Sequence, residues 1–262
     1  MNKWLVIGNL AHTKLLKDWV IKMKEVLALV EQRKQEFAKL PLFEFLQDTT
    51  IDPMQRLAWV PCVAPFAMGF GELNKYDLRK EPTNDPIQAI INKHTYEDDH
   101  HWAWFLEDLE KLGLNYSMKF SEAMRFFWGE ETRKTRQVCH QIALYAFQAE
   151  PVVVLAALEA IEATGNVALS CTAKVSAELQ EITDKSYRYF GAYHLRVETG
   201  HTTGTQGIEE FIANINLTEE QNAKALEIVE KVFEVFTEAM QEMMNYAEKC
   251  SITQPLIAQS VG

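Results

Sequence analysis

Apolar residues in this chain recur at the spacing of an α-helix. Over residues 12–40, Leu15, Leu16, Trp19, Val20, Met23, Val26, Leu27 and Val30 make one apolar stripe among charged positions. That pattern predicts a long amphipathic first helix, ended by Pro41. Elsewhere no stretch sustains period-two alternation with β-branched residues, and no glycine-rich phosphate motif follows a strand. The fold class is therefore all-α. With no repeat of fixed period and no composition break, the expected organisation is a single helical-bundle domain over residues 1–250 followed by a flexible C-terminal tail at 251–262.

Helix boundaries are marked by proline, glycine and small polar residues. Asp52 before Pro53 predicts a helix start, and Pro61 with Pro65 predicts a kink in the apolar helix that carries Trp59, Phe66, Met68 and Phe70. Asn84, Asp85 and Pro86 open a helix expected to run to Leu112, stopped by Gly113. Further helices are expected over residues 121–128 and 131–148. Pro151 opens another, expected to end near Gly165, and Asn166 precedes the next, through Val175, Leu179 and Ile182. Residues 193–201 follow as a helical element, with Gly204 and Gly207 opening a loop. Thr218 with Gln221 has the spacing of a capping box for a last helix to about Lys249.

The chain has 262 residues, 47% of them apolar, and a formal charge of −11. That size and composition suit a globular core. The acidic balance argues against a nucleic-acid partner, which needs clustered Lys and Arg. Cys62, Cys139, Cys171 and Cys250 are far apart with no C-x-x-C pair, which disfavours a zinc knuckle or a disulfide framework and fits the cytoplasm. No secretory signal is visible, and the longest uncharged run, residues 57–71, is too short to span a bilayer. The expected partner is a small molecule, and a homodimer is compatible with the pattern.

Chemistry-bearing residues fall into three groups. His194, Glu198 and His201 share one helical face, within an arc of roughly 60°. In a chain with only seven histidines, two of them and one acid at such spacing suggest half of a metal site rather than a solvated polar face. Residues 94–101, H-T-Y-E-D-D-H-H, offer Glu97 or Asp98 with His101, at four and three positions' separation, beside Trp102, Trp104 and Phe105. Buried acids and imidazoles there need an ion or another partner. Glu159 and Glu162 interrupt the apolar segment after Pro151, either as an inward ligand or as the wet side of an amphipathic helix. A carboxylate and imidazole set without cysteine suits non-haem iron or manganese.

These motifs resemble a family. H-x-x-x-[DE]-x-x-H at His194, Glu198 and His201, the helical Glu159, and E-D-x-x-H leading into H-x-x-W-F-L-x-D-L-x-x-L-G from His101 are similar to the haem-oxygenase-like di-iron oxidases and oxygenases. That group is related in fold to thiaminase-II-like, pyrroloquinoline-quinone-synthase and CADD-like proteins. The resemblance spans roughly residues 85–201 and implies a compact bundle of about seven or more helices around a dinuclear iron site. Its implied ligands are Glu97, His101, Glu159, His194, Glu198 and His201, with Asp98 an equally spaced alternative to Glu97. Glu198 stands where the family more often has Asp. His94 and His100 are left as supporting or substitute ligands.

The implied activity is O2 activation by two irons, the second loosely held, on a small or medium carboxylate, amino acid or fatty acid, by C–C cleavage, desaturation or N-oxygenation. Trp59, Phe66, Met68, Phe70 and Trp104 are the candidate cavity wall, and Arg56 or Arg196 the candidate partner of a substrate carboxylate. A metal-free enzyme of the same fold and a ferritin-like storage bundle are the alternatives.

Overall fold

The computed structural model describes residues 21–115, 117–199 and 206–250. The first part of the first predicted helix, the tail after residue 250, Gly204 and His201 lie outside the described residues. In chain order the helices are α1 (Met23–Phe37), α2 (Pro41–Gln47), α3 (Pro53–Arg56), α4 (Val60–Glu72), α5 (Pro86–Asp98), α6 (Trp102–Lys111), α7 (Phe120–Phe127), α8 (Arg133–Ala146), α9 (Pro151–Thr183), α10 (Ala192–Glu198), α11 (Gln206–Ala213) and α12 (Glu219–Lys249). A π-helical segment, Leu73–Leu78, prolongs α4. The two-residue strands β1 (Ile21–Lys22) and β2 (Asn216–Leu217) pair antiparallel. The fold is an all-α, single-domain bundle.

α9 is its axis. It packs against α12, α1, α10, α5, α2 and α3, and all but two of the residues from Val152 to Thr164 are buried, the exceptions being Glu159 and Glu162. By length and apolarity it could cross a bilayer; its apolar surface is instead covered by the helices around it. The helix expected to stop near Gly165 runs unbroken for 33 residues to Thr183. A single glycine lowers helix propensity without ending a helix whose faces are packed. It ends at Asp184, which adopts a left-handed conformation at φ 55.

Local end signals are realised as predicted. Asp52 accepts from the amides of Met54 and Gln55, Asp85 from those of Ile87 and Gln88, and Thr218 forms a full capping box with Gln221. Pro61 lies in the first turn of α4, where a missing N–H costs nothing, so only Pro65 is interior to that helix. Between α3 and α4 the chain makes a short turn at residues 57–59, which splits the single helix expected after Pro53.

The predicted 86–112 helix is likewise two helices, separated at residues 99–101. Arg79 braces the break: its guanidinium donates to the Thr95 carbonyl at 2.8 Å, the Thr95 hydroxyl at 3.0 Å and Asp99 Oδ2 at 2.7 Å. These bonds hold the end of α5 and the start of the turn against Arg79. The turn packs onto Gly71, where a Cβ would lie 2.7 Å from the Asp99 carbonyl oxygen. Gly71→Ala should therefore displace the α5–α6 turn and destabilise the protein by about 1–3 kcal/mol, read as a lower midpoint in urea unfolding.

Candidate metal centre

The turn between α5 and α6 puts Asp98 at the end of one helix and His101 just before the next, both buried. Opposite them, α10 presents His194 and Glu198. His101 Nδ1, His194 Nε2 and Glu198 Oε1 form a nearly even triangle, with sides of 3.1, 2.8 and 3.3 Å. Adjacent donors on an octahedral ion with bonds of about 2.1 Å stand about 3.0 Å apart, and two imidazoles with one carboxylate make the facial set of non-haem iron sites.

The orientation of His194 is set from behind. Its Nδ1–H donates to the Tyr189 carbonyl at 2.8 Å, which leaves Nε2 as the nitrogen turned toward the triangle. That carbonyl is placed in turn by Asp108 of α6. The fully buried Asp108 accepts from the backbone amides of Arg188 at 2.9 Å, Tyr189 at 2.8 Å and Phe190 at 3.0 Å. Burial pushes the Asp108 carboxyl up, with the three amides pulling the other way. Gly191 closes the turn: a Cβ there would sit 2.1 Å from the Tyr187 carbonyl. The His101 ring stacks on Trp104, centroids 4.2 Å apart and planes 22° from parallel.

A second donor group adjoins the first. His94 Nε2 lies 3.0 Å from Glu162 Oε1 and 3.1 Å from Asp98 Oδ2, joining α5 to α9. Burial opposes a charged His94, yet the Glu162 and Asp98 carboxylates outweigh it and raise its pKa. Asp98 is shared, because its Oδ1 is 3.9 Å from His101 Nδ1. Burial chiefly raises the Asp98 pKa; Glu198 and Glu162 add to this and His94 opposes it. Each group has its donor atoms within 4.8 Å of one another and could hold an ion. The six residues offer nitrogen and oxygen donors only.

Of the ligands expected from sequence, the structure brings together His101, His194 and Glu198. Glu97 is half-buried and belongs to neither group; Asp98, three residues before His101, takes the inward place. His201 lies outside the described residues. Glu159 is in neither group, although its Oε1 is buried with no hydrogen-bond partner among the described residues. Burial, reinforced by Glu162, pushes its carboxyl up to about 7. An orphaned carboxylate oxygen one helical turn from Glu162 fits a further ligand. His94 and Glu162 are the principal residues that the spacing left unassigned, and the i, i+4 pair His94–Asp98 was the available signal. His100 is exposed and pairs with Asp99 at 3.4 Å.

Asp98, His101, Glu162, His194 and Glu198 border an apolar cavity of about 120 Å³. Trp59, Phe66 and Phe70 line it as expected; Met68 does not, being 40% exposed, and Trp104 is absent from the wall because it backs His101. Arg56 is buried away from the cavity, bonded to Glu178 and the Leu46 carbonyl, and Arg196 is exposed. No Lys or Arg occurs among the described lining residues.

Two outcomes follow from these contacts. Asp108→Ala strands three buried amides and should cost about 3 kcal/mol, with a parallel loss of metal stoichiometry, since His194 loses its carbonyl anchor; denaturant unfolding and metal analysis check both. For Glu159, a folded-state pKa of about 7 against an ordinary 4.5 means that the folded chain holds its proton longer than the unfolded one. Stability of the metal-free protein should therefore fall as pH rises from about 4.5 to 7, by on the order of 3 kcal/mol from this group. Glu159→Gln should flatten that slope in urea unfolding curves measured across the range. No protein-family model matches the chain and no curated protein matches it as a relative, so the functional reading rests on this geometry.

Proposed function

We propose that the chain is a non-haem dinuclear iron oxidase or oxygenase that uses O2 to oxidise a small or medium carboxylate. The observation that carries the reading is Asp98, set between two buried histidine and carboxylate groups at the edge of an apolar cavity. His101, His194 and Glu198 would hold one ion, and His94, Glu162 and Asp98 the other, with Glu159 available to the second. The second ion has one imidazole against two for the first, in keeping with a more labile position. The same donors accept manganese, which the chemistry favours less. Bound iron supplies electrons to O2 and open positions for substrate.

The chain's own residues do the rest. The Tyr189 carbonyl holds the proton of His194 at Nδ1 and keeps Nε2 aimed inward. Trp104 fixes the plane of the His101 ring by stacking. Trp59, Phe66 and Phe70 exclude water, so charge at the donor end is weakly screened. With no cationic side chain on the described wall, a substrate carboxylate has its favourable seat at the metal end. Its remaining atoms meet hydrocarbon, which favours a carboxylate with an apolar tail over an amino acid.

Anaerobic reconstitution with ferrous iron should give close to two equivalents per chain, and Glu198→Ala should lower this; a wild-type value near zero removes the metal reading. O2 added to the ferrous protein should produce a transient visible absorption band mainly when a carboxylate substrate is present. Fast oxidation independent of substrate, with growth of an iron core, would assign the bundle to storage instead.

A further inference from the structure

Gly165 stands in the middle of α9, where glycine is less stable than alanine. Nothing local requires it, since its φ is not positive. The other cavity glycine, Gly71, is explained by packing, because a Cβ there would strike the Asp99 carbonyl. At Gly165 a Cβ meets no atom within 4 Å, and the residue lines the cavity. The unfilled space beside it is therefore part of that cavity. Glu162 lies one turn before it on the same wall and Leu169 one turn after.

The hydroxyls near this point are turned away from a ligand. Thr164 Oγ1 donates to the Ile161 carbonyl at 2.8 Å and Thr172 Oγ1 to the Leu169 carbonyl at 3.3 Å. What remains next to Gly165 is the hydrocarbon of Ile161, Ala168 and Leu169.

We propose that position 165 sets the size of the tail that the cavity admits, the absent side chain leaving room for the hydrocarbon of a monocarboxylate one helical turn away from the donor end. The proposal rests on the reading of the donor end as the seat of that carboxyl. In a cavity of about 120 Å³, one added methyl group is a substantial obstruction.

The test uses the full chain loaded with Mn(II), which avoids turnover, titrated calorimetrically with straight-chain acids from propionate to octanoate. Gly165→Ala should raise Tm by about 2–4 °C, from helix propensity without a clash. It should weaken the longest acid that wild type binds by about tenfold or more, leaving propionate unchanged. Gly165→Leu should retain only the shortest acids. A fall in Tm for Gly165→Ala would show that the space is not open and would overturn the proposal. Variants with the wild-type length profile would overturn it while leaving the carboxylate seat intact. Wild type that binds none of the acids would overturn the seat, and this inference with it.

Discussion

One buried carboxylate fixes the geometry on which the candidate centre depends. Asp108 gathers three consecutive backbone amides, and in doing so folds residues 188–190 into the turn that starts α10. Taking a carboxylate out of water costs several kcal/mol, and three charge-assisted hydrogen bonds offset that cost only while the turn keeps its shape. The interaction therefore stabilises one loop conformation against others. Tyr189 has its amide on Asp108 and its carbonyl on His194, so the restraint passes through a single residue to the imidazole. Ser176 ties the same turn to α9 through the Phe190 carbonyl at 3.0 Å.

The second constraint is charge. Asp98, Glu162 and Glu198 border one apolar cavity together with His101 and His194, and His94 lies against Asp98 and Glu162. Like charges in so poorly screened a place repel, and the upward shifts at Asp98 and Glu159 express that repulsion added to desolvation. A cation at the donor groups would resolve the conflict, whereas protons alone leave Glu159 Oε1 unbonded among the described residues. This is the physical content of reading the cluster as a metal centre and not as an ordinary hydrogen-bonded core.

How much of this was legible in the sequence follows how local each cause is. The caps at Asp52, Asp85 and Thr218 depend on residues two or three positions away, and they were readable. The all-α class followed from periodicity. The turn at residues 99–101 was not readable, because the residues that brace it, Arg79 and Gly71, are distant in sequence. Without that turn, Glu97 and Asp98 looked interchangeable; with it, Asp98 faces inward. Glu159 and Glu162 posed a similar choice, since both lie near the apolar face of α9 and only the packing of α5 against it brings Glu162 to His94. The His194–Glu198 pair was legible because both sit on one short helix.

α9 shows how one helix can serve packing and chemistry together. A helix buried on nearly all sides should be apolar throughout, with good helix formers at its centre. This one departs from that rule at Glu159, Glu162 and Gly165, all within two turns. Each departure weakens the helix taken alone, through desolvation or through backbone entropy; Glu162 and Gly165 line the cavity, and Glu159 lies one turn before Glu162. Stability requires alanine or leucine at such positions, whereas the proposed ion and substrate tail would require a carboxylate and a gap. The packing of α12, α1 and α10 along the rest of the helix is what lets the local weakness persist without breaking it.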